Sequence, residues 1–146
     1  MILQPMGIEV QADPELGASE PACRILVADD EASMREFATY ALTYSGYRAV
    51  AVDSGSAALE ALRTQHFDLV LTDFNMPNGS GADLIIKMHS EGINVPVIMM
   101  TGAELTKQLL AMTSMFHLGT ILEKPFGIGV LLTAIKSALR RRLKIP

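Results

Sequence analysis

Residues Leu69 to Gly81 read LVLTDFNMPNGSG. A run suited to a buried strand, Leu69 to Thr72, stops at a single carboxylate, Asp73. A proline, the turn-forming residues Asn75, Asn78 and Ser80, and two glycines follow. A strand that ends on a lone acid before a turn is informative only if the rest of the chain says where that strand lies.

Working outward, the same design recurs. Arg24 to Ala28 is a short apolar run that ends at Asp29-Asp30, and it suits a strand buried on both faces. Met34, Phe37, Ala38, Ala41 and Leu42 then recur at helical spacing, and Gly46 can stop that helix. Tyr47 to Val52 reads as a second strand, less apolar and suited to a sheet edge. Ser54 can cap a helix bearing Ala58, Ala61 and Leu62. After the third strand, Ser80 with Asp83 can cap a helix whose apolar face is Leu84, Ile85 and Met88, with Gly92 at its end. Val95 to Thr101 reads as a fourth strand, with Pro96 at its start. Leu105, Leu109, Met112 and Phe116 form the next apolar stripe. The short run Gly119 to Leu122 leads to Glu123-Lys124-Pro125-Phe126. A last helix carries Leu131, Ile135, Ala138 and Leu139 and ends in Arg140-Arg141-Arg142. Five strand–helix units in strict alternation predict an α/β fold, a doubly wound parallel sheet with helices on both faces.

Composition agrees with one such domain. The 146 residues are 49% hydrophobic and 19% charged, which is globular rather than disordered. A net charge of −4 argues against a broad nucleic-acid surface. One cysteine, Cys23, permits no internal disulfide and fits a reducing compartment. No apolar run approaches the ~20 residues of a membrane span, and the first residues lack the basic start of a secretory signal. These features predict a cytoplasmic protein that contacts no membrane. Residues 1–22, with three prolines and no periodicity, read as a flexible leader, and 23–143 as the domain.

In a parallel sheet the strand ends gather at one edge, where ligands bind. Asp29 and Asp30, Asp73, Thr101 followed by Gly102, and Lys124 followed by Pro125 would all meet there. A lone Asp at a strand end is usually a turn residue, and a Lys-Pro pair alone says little. All four pieces in order at successive strand ends are a different matter. Clustered carboxylates repel one another unless a cation intervenes, and a hard divalent ion such as Mg²⁺ suits oxygen ligands. With the lysine as a second cation, the cleft could accept an anion and stabilise a transferring phosphoryl group. Asp73, single and followed by a turn that would leave its tip open, is the candidate nucleophile.

The stretches ILVADDE, LVLTDFNMPNGSG, VIMMTGA and EKPF resemble the receiver domains of two-component response regulators, over about residues 23 to 143. The Asp73 stretch is especially similar to that of single-domain chemotaxis receivers. The resemblance implies a flavodoxin-like (βα)5 fold with strand order 2-1-3-4-5. It implies that Asp73 is the phosphoacceptor. It also implies that Mg²⁺ or Mn²⁺ is held by Asp30, Asp73 and the backbone carbonyl of Asn75, with Asp29 acting through water. Thr101 matches the switch hydroxyl and Lys124 its lysine partner, with a cis Lys124–Pro125 bond. Gly102 would leave access to the phosphate. The implied donor is a phosphohistidine on a histidine kinase or phosphotransfer protein. The implied output face is helix four, strand five and helix five, carrying the signal to a protein target without direct DNA contact, as a monomer or a phosphorylation-dependent dimer.

One departure is Ile121, where relatives usually carry an aromatic that swings inward on activation. Another is Ala103, which offers no side chain to orient a hydrolytic water and so predicts slow self-dephosphorylation. Two alternatives differ in class. A small aspartyl-phosphate phosphatase of the haloacid dehalogenase type would carry a second Asp where Asn75 stands. A pseudo-receiver would usually lack the acid pair, the acceptor or the lysine, and this chain keeps all three. His66, His89 and His117 read as surface histidines near helix ends. The methionines read as core filler, except Met112 and Met115, which with Phe116 lie on the expected partner helix.

Overall fold

The computed structural model describes residues 22–77, 80–102, 107–116 and 118–144. Five strands, β1 (Arg24–Ala28), β2 (Arg48–Val52), β3 (Leu69–Asp73), β4 (Val97–Thr101) and β5 (Ile121–Glu123), form one parallel sheet in the order β2-β1-β3-β4-β5. Between and after them run α1 (Ala32–Tyr44), α2 (Gly55–Thr64), α3 (Gly81–Ser90), α4 (Lys107–Met115) and α5 (Ile128–Lys144). This is the doubly wound order that the alternation and the resemblance predict. β3, the strand that ends on Asp73, is the middle strand of the sheet.

Side chains alternate across each strand, so one sequence feeds two cores. Ile25, Val27, Leu69, Leu71, Ile98, Met100 and Leu122 face α1 and α5. Leu26, Ala28, Val70, Val97 and Met99 face α2, α3 and α4. Ile25, Leu69, Leu71 and Ile98 are fully buried, and each such side chain contributes roughly 1.5–3 kcal/mol. β2 is an edge strand, and its residues are correspondingly half-exposed.

The helix ends follow local chemistry. Gly46, at φ 95°, takes the left-handed conformation that closes α1. Ser54 Oγ accepts from the Ala57 N–H at 3.1 Å. Ser80 Oγ accepts from the Asp83 N–H at 3.2 Å while the Asp83 carboxylate accepts from the Ser80 N–H, a reciprocal capping box at the start of α3.

Three boundaries differ from the sequence reading. β2 begins at Arg48 rather than Tyr47. β4 begins at Val97, because Pro96 offers no N–H and contributes only its carbonyl, which accepts from Val70 N–H at 2.9 Å. β5 is displaced to Ile121–Glu123, and the pairing runs on to Lys124, whose N–H donates to the Thr101 carbonyl at 2.7 Å. The residue 1–21 part of the leader, Asn78 and Gly79 in the turn, Ala103, Leu105 and His117 lie outside the described residues. Among the described residues no helix is long and apolar enough to cross a membrane.

Candidate functional site

The carboxyl ends of β1, β3, β4 and β5 converge because all strands run the same way and their registers are nearly level. Asp29 and Asp30 follow β1, Asp73 closes β3, Thr101 closes β4, and Lys124 follows β5. One carboxylate oxygen from each of Asp29, Asp30 and Asp73 lies within 4.8 Å of the others. Asp29 is fully buried, Asp73 is 6% exposed, and Asp30 faces solvent. Thr101 is 2% exposed beside them. The sequence reading leaves the tip of Asp73 open. In the structure that tip is covered, in part by the Lys124 ammonium.

Lys124 Nζ sits among the acids. It is 2.8 Å from Asp29 Oδ2, 3.3 Å from Glu31 Oε1 and 3.4 Å from Asp73 Oδ2. One ammonium is thus shared by three carboxylates, and Asp73 holds the weakest claim. The charge states follow. Burial pushes the Asp73 carboxyl above the ordinary 3.8. The Asp29 charge adds to this, while Lys124 and the Asn75 N–H pull it back only in part. Burial works against the Lys124 ammonium. Its hydrogen bond to Asp29 and the charges of Asp73 and Asp29 outweigh that, and leave it above 10.5. The cluster stabilises the lysine charge better than it stabilises the Asp73 charge.

Backbone contacts fix the acids. The Glu31 N–H donates to Asp29 Oδ1 at 2.9 Å, and Arg35 Nη1 donates to the Asp29 carbonyl at 2.8 Å. The Asn75 N–H donates to Asp73 Oδ1 at 3.4 Å, a long contact. The Phe74 N–H donates to the Met100 carbonyl at 2.7 Å and the Gly81 N–H to the Phe74 carbonyl at 2.9 Å, which seats the start of α3 directly on the end of β3. A Cβ at Gly81 would overlap the Asp73 carbonyl oxygen and lie 3.0 Å from both Met99 Sδ and Phe74 Cα. At Gly102 an added Cβ would meet nothing within 4 Å. The Lys124–Pro125 peptide bond is cis.

Three residues at the site escape the sequence reading. Glu31 lies within the acidic run ADDE, and its carboxylate completes the set around Lys124. Arg35 is one helical turn beyond it. Gly81 follows the Ser80 cap, where only the tight contact between α3 and β3 shows why no side chain fits. The two described histidines are engaged elsewhere: His66 pairs with Asp68 at 3.1 Å, and His89 packs edge-on against Phe116 with centroids 5.3 Å apart.

With fold and cluster in view, comparison with known proteins is decisive. Residues 25–136 match the family model of the response regulator receiver domain. The chain belongs to that family. It is 32% identical over 117 residues to the probable transcriptional regulatory protein TcrX of Mycobacterium tuberculosis, covering 80% of this chain and 50% of TcrX. It is 36% identical over 115 residues to the CAI-1 autoinducer sensor kinase/phosphatase CqsS of Vibrio cholerae, covering 77% of this chain and 17% of CqsS. The chain therefore spans half or less of these relatives. A CheY-like receiver domain protein from Methanospirillum hungatei superposes with TM-score 0.79 at 24% identity, covering 85% of this chain and 98% of that one. The receiver domain of Francisella response regulator 1452 gives 0.76 at 25%, covering 82% and 98%. Receiver domains are signalling domains of two-component systems, not typical enzymes, and they partner with histidine kinases or phosphotransfer proteins. The acidic cluster of this receiver domain could bind a metal.

Proposed function

We propose that this receiver domain accepts a phosphoryl group on Asp73 from a phosphohistidine partner, in a Mg²⁺- or Mn²⁺-dependent reaction, and signals by changing the surface it offers to a protein target. The observation that carries this reading is the meeting of Asp29, Asp30 and Asp73 within 4.8 Å, with Lys124 against two of them and Asp73 on the central strand. The donor set fits a hard divalent cation: the acids outnumber the one ammonium, and Asp73 remains short of positive charge. Asp30, Asp73 and the Asn75 carbonyl would hold the ion, with Asp29 reaching it through water. When bound, it would offset carboxylate charge and the charge that develops on a transferring phosphoryl group.

Asp73 is the nucleophile in this reading. One of its oxygens forms the new bond to phosphorus, and the bond from phosphorus to the donor nitrogen breaks, its electron pair leaving with the imidazole. Asp29 and Lys124 hold each other, so the cleft keeps a fixed cation beside the acceptor. The product adds roughly one to two negative charges at the edge of β3. Lys124 and the Thr101 hydroxyl would turn toward it. Their strands carry the change to α4, β5 and α5, where Leu110 and Met115 are exposed on α4 and Ile128 and Val130 on α5. Ile121 on β5 supplies no aromatic ring at that position.

The test is incubation with Mg²⁺ and acetyl phosphate, followed by intact mass spectrometry. A gain of one phosphoryl mass, lost when EDTA replaces Mg²⁺ and in Asp73→Ala, is expected. No gain in a folded protein would point to a receiver that acts without phosphorylation.

A further inference from the structure

Glu31 stands at the N-cap of α1 but does not cap it. Its backbone is extended, φ −91° and ψ 121°, as a cap residue requires, yet its side chain accepts nothing from the first helical turn. That position favours Ser, Thr, Asp or Asn, whose short side chains reach back to the helix N–H groups. The longer Glu31 side chain instead crosses to the far end of the site, where its carboxylate lies 3.3 Å from Lys124 Nζ. Its own N–H donates to Asp29 Oδ1. Glu31 therefore touches both members of the Lys124–Asp29 pair.

We propose that Glu31 is a positioning residue that holds Lys124 back in the resting domain and so sets how readily Asp73 is phosphorylated. The inference rests on the phosphoacceptor reading above. To reach a phosphoryl group on Asp73, the ammonium must loosen part of its present set. Asp29 is the closest partner at 2.8 Å and is fully buried, so losing it would strand a charge without solvent. Glu31 is 63% exposed on its side chain, so water can replace the lysine there at little cost. It is the one carboxylate of the three that can release Lys124 freely. An exposed pair of this kind is weak, so it tunes the rate rather than locking it. The arrangement also explains the missing cap: a side chain short enough to cap α1 would not span to Lys124.

Phosphorylation by acetyl phosphate at constant Mg²⁺ and low ionic strength, followed by intact mass, tests this in the full chain. Glu31→Gln should be phosphorylated roughly two- to five-fold faster than wild type, the scale of one exposed ion pair. Glu31→Asp should also be faster, because it keeps the charge but not the reach, while its thermal midpoint rises through restored capping. A merely structural role predicts the opposite pairing, with no rate change in the better-capped variant. In a Lys124→Met background, Glu31→Gln should change nothing. Equal rates for wild type and Glu31→Gln would overturn the inference while leaving the phosphoacceptor reading intact. An undiminished acceleration in the Lys124→Met background would overturn it too, since the effect would not pass through Lys124. A wild-type protein that gains no phosphoryl mass would overturn both.

Discussion

Replacing Gly81 by alanine should destabilise the domain, although the same change at Gly129 should not. Gly81 opens α3 at the point where that helix rests on the end of β3. The added Cβ would overlap the Asp73 carbonyl oxygen and sit 3.0 Å from Phe74 Cα and from Met99 Sδ. Met99 can shift its sulfur, but the other two contacts are backbone. That backbone is tied to the sheet through the Phe74–Met100 bond and to the helix through the Gly81–Phe74 bond. Overpacking of this kind costs roughly 1–3 kcal/mol. The gain in helix propensity on replacing glycine returns at most about 1 kcal/mol. A net loss of about 1–2 kcal/mol remains, or a fall in Tm of roughly 3–10 °C for a domain of this size. Gly129, in the first turn of α5, is the control: a Cβ there meets nothing within 4 Å, so Gly129→Ala should leave Tm unchanged or raise it. Thermal melts of both variants followed by circular dichroism decide the matter. A Gly81→Ala protein at least as stable as wild type would show that α3 is not seated on β3 as described.

Other outcomes follow from the charges. Lys124→Met leaves the fully buried Asp29 without its ammonium and should cost about 3 kcal/mol in urea denaturation at neutral pH. Because the Lys124 value is raised in the folded state, its contribution is complete below 10.5. The gap between the two proteins should therefore narrow as pH climbs through the raised folded value. In EDTA, the raised Asp73 value means the native state binds more protons than the unfolded chain between 3.8 and that value. Stability should fall as pH rises through this window, measured against Asp73→Asn, which lacks the slope. Mg²⁺ at ten times its dissociation constant should stabilise the wild type by about 1.4 kcal/mol, and Asp30→Asn should need more ion for the same shift in Tm.

Much of this architecture is legible in the sequence because each strand carries its own instructions. Alternation along β1, β3 and β4 divides the apolar residues between two cores, and the polar residue that ends each run marks the shared edge. Ser54 and Ser80 announce their helices through local hydrogen bonds that need no tertiary context. What stays hidden depends on distance in three dimensions. Glu31 and Lys124 are 93 positions apart, so nothing in ADDE reveals that its last acid reaches across the site. Gly81 looks like an ordinary turn glycine until the Asp73 carbonyl is placed against it. Lys124 covers part of the Asp73 tip at 3.4 Å, and strand-end patterning cannot report a contact made by a side chain 51 positions away. The boundary of β5 also depends on its partner, since the pairing of Lys124 with Thr101 belongs to β4 as much as to β5.

The central claim is that Asp73, and no other acid of the cluster, takes the phosphoryl group. Its most direct test is to phosphorylate the protein with acetyl phosphate and Mg²⁺, reduce the acyl phosphate with borohydride, and map the modified residue by peptide mass spectrometry. Modification at Asp73 alone is predicted. Modification at Asp29 or Asp30 would contradict the account, as would a folded, Mg²⁺-loaded protein that carries none.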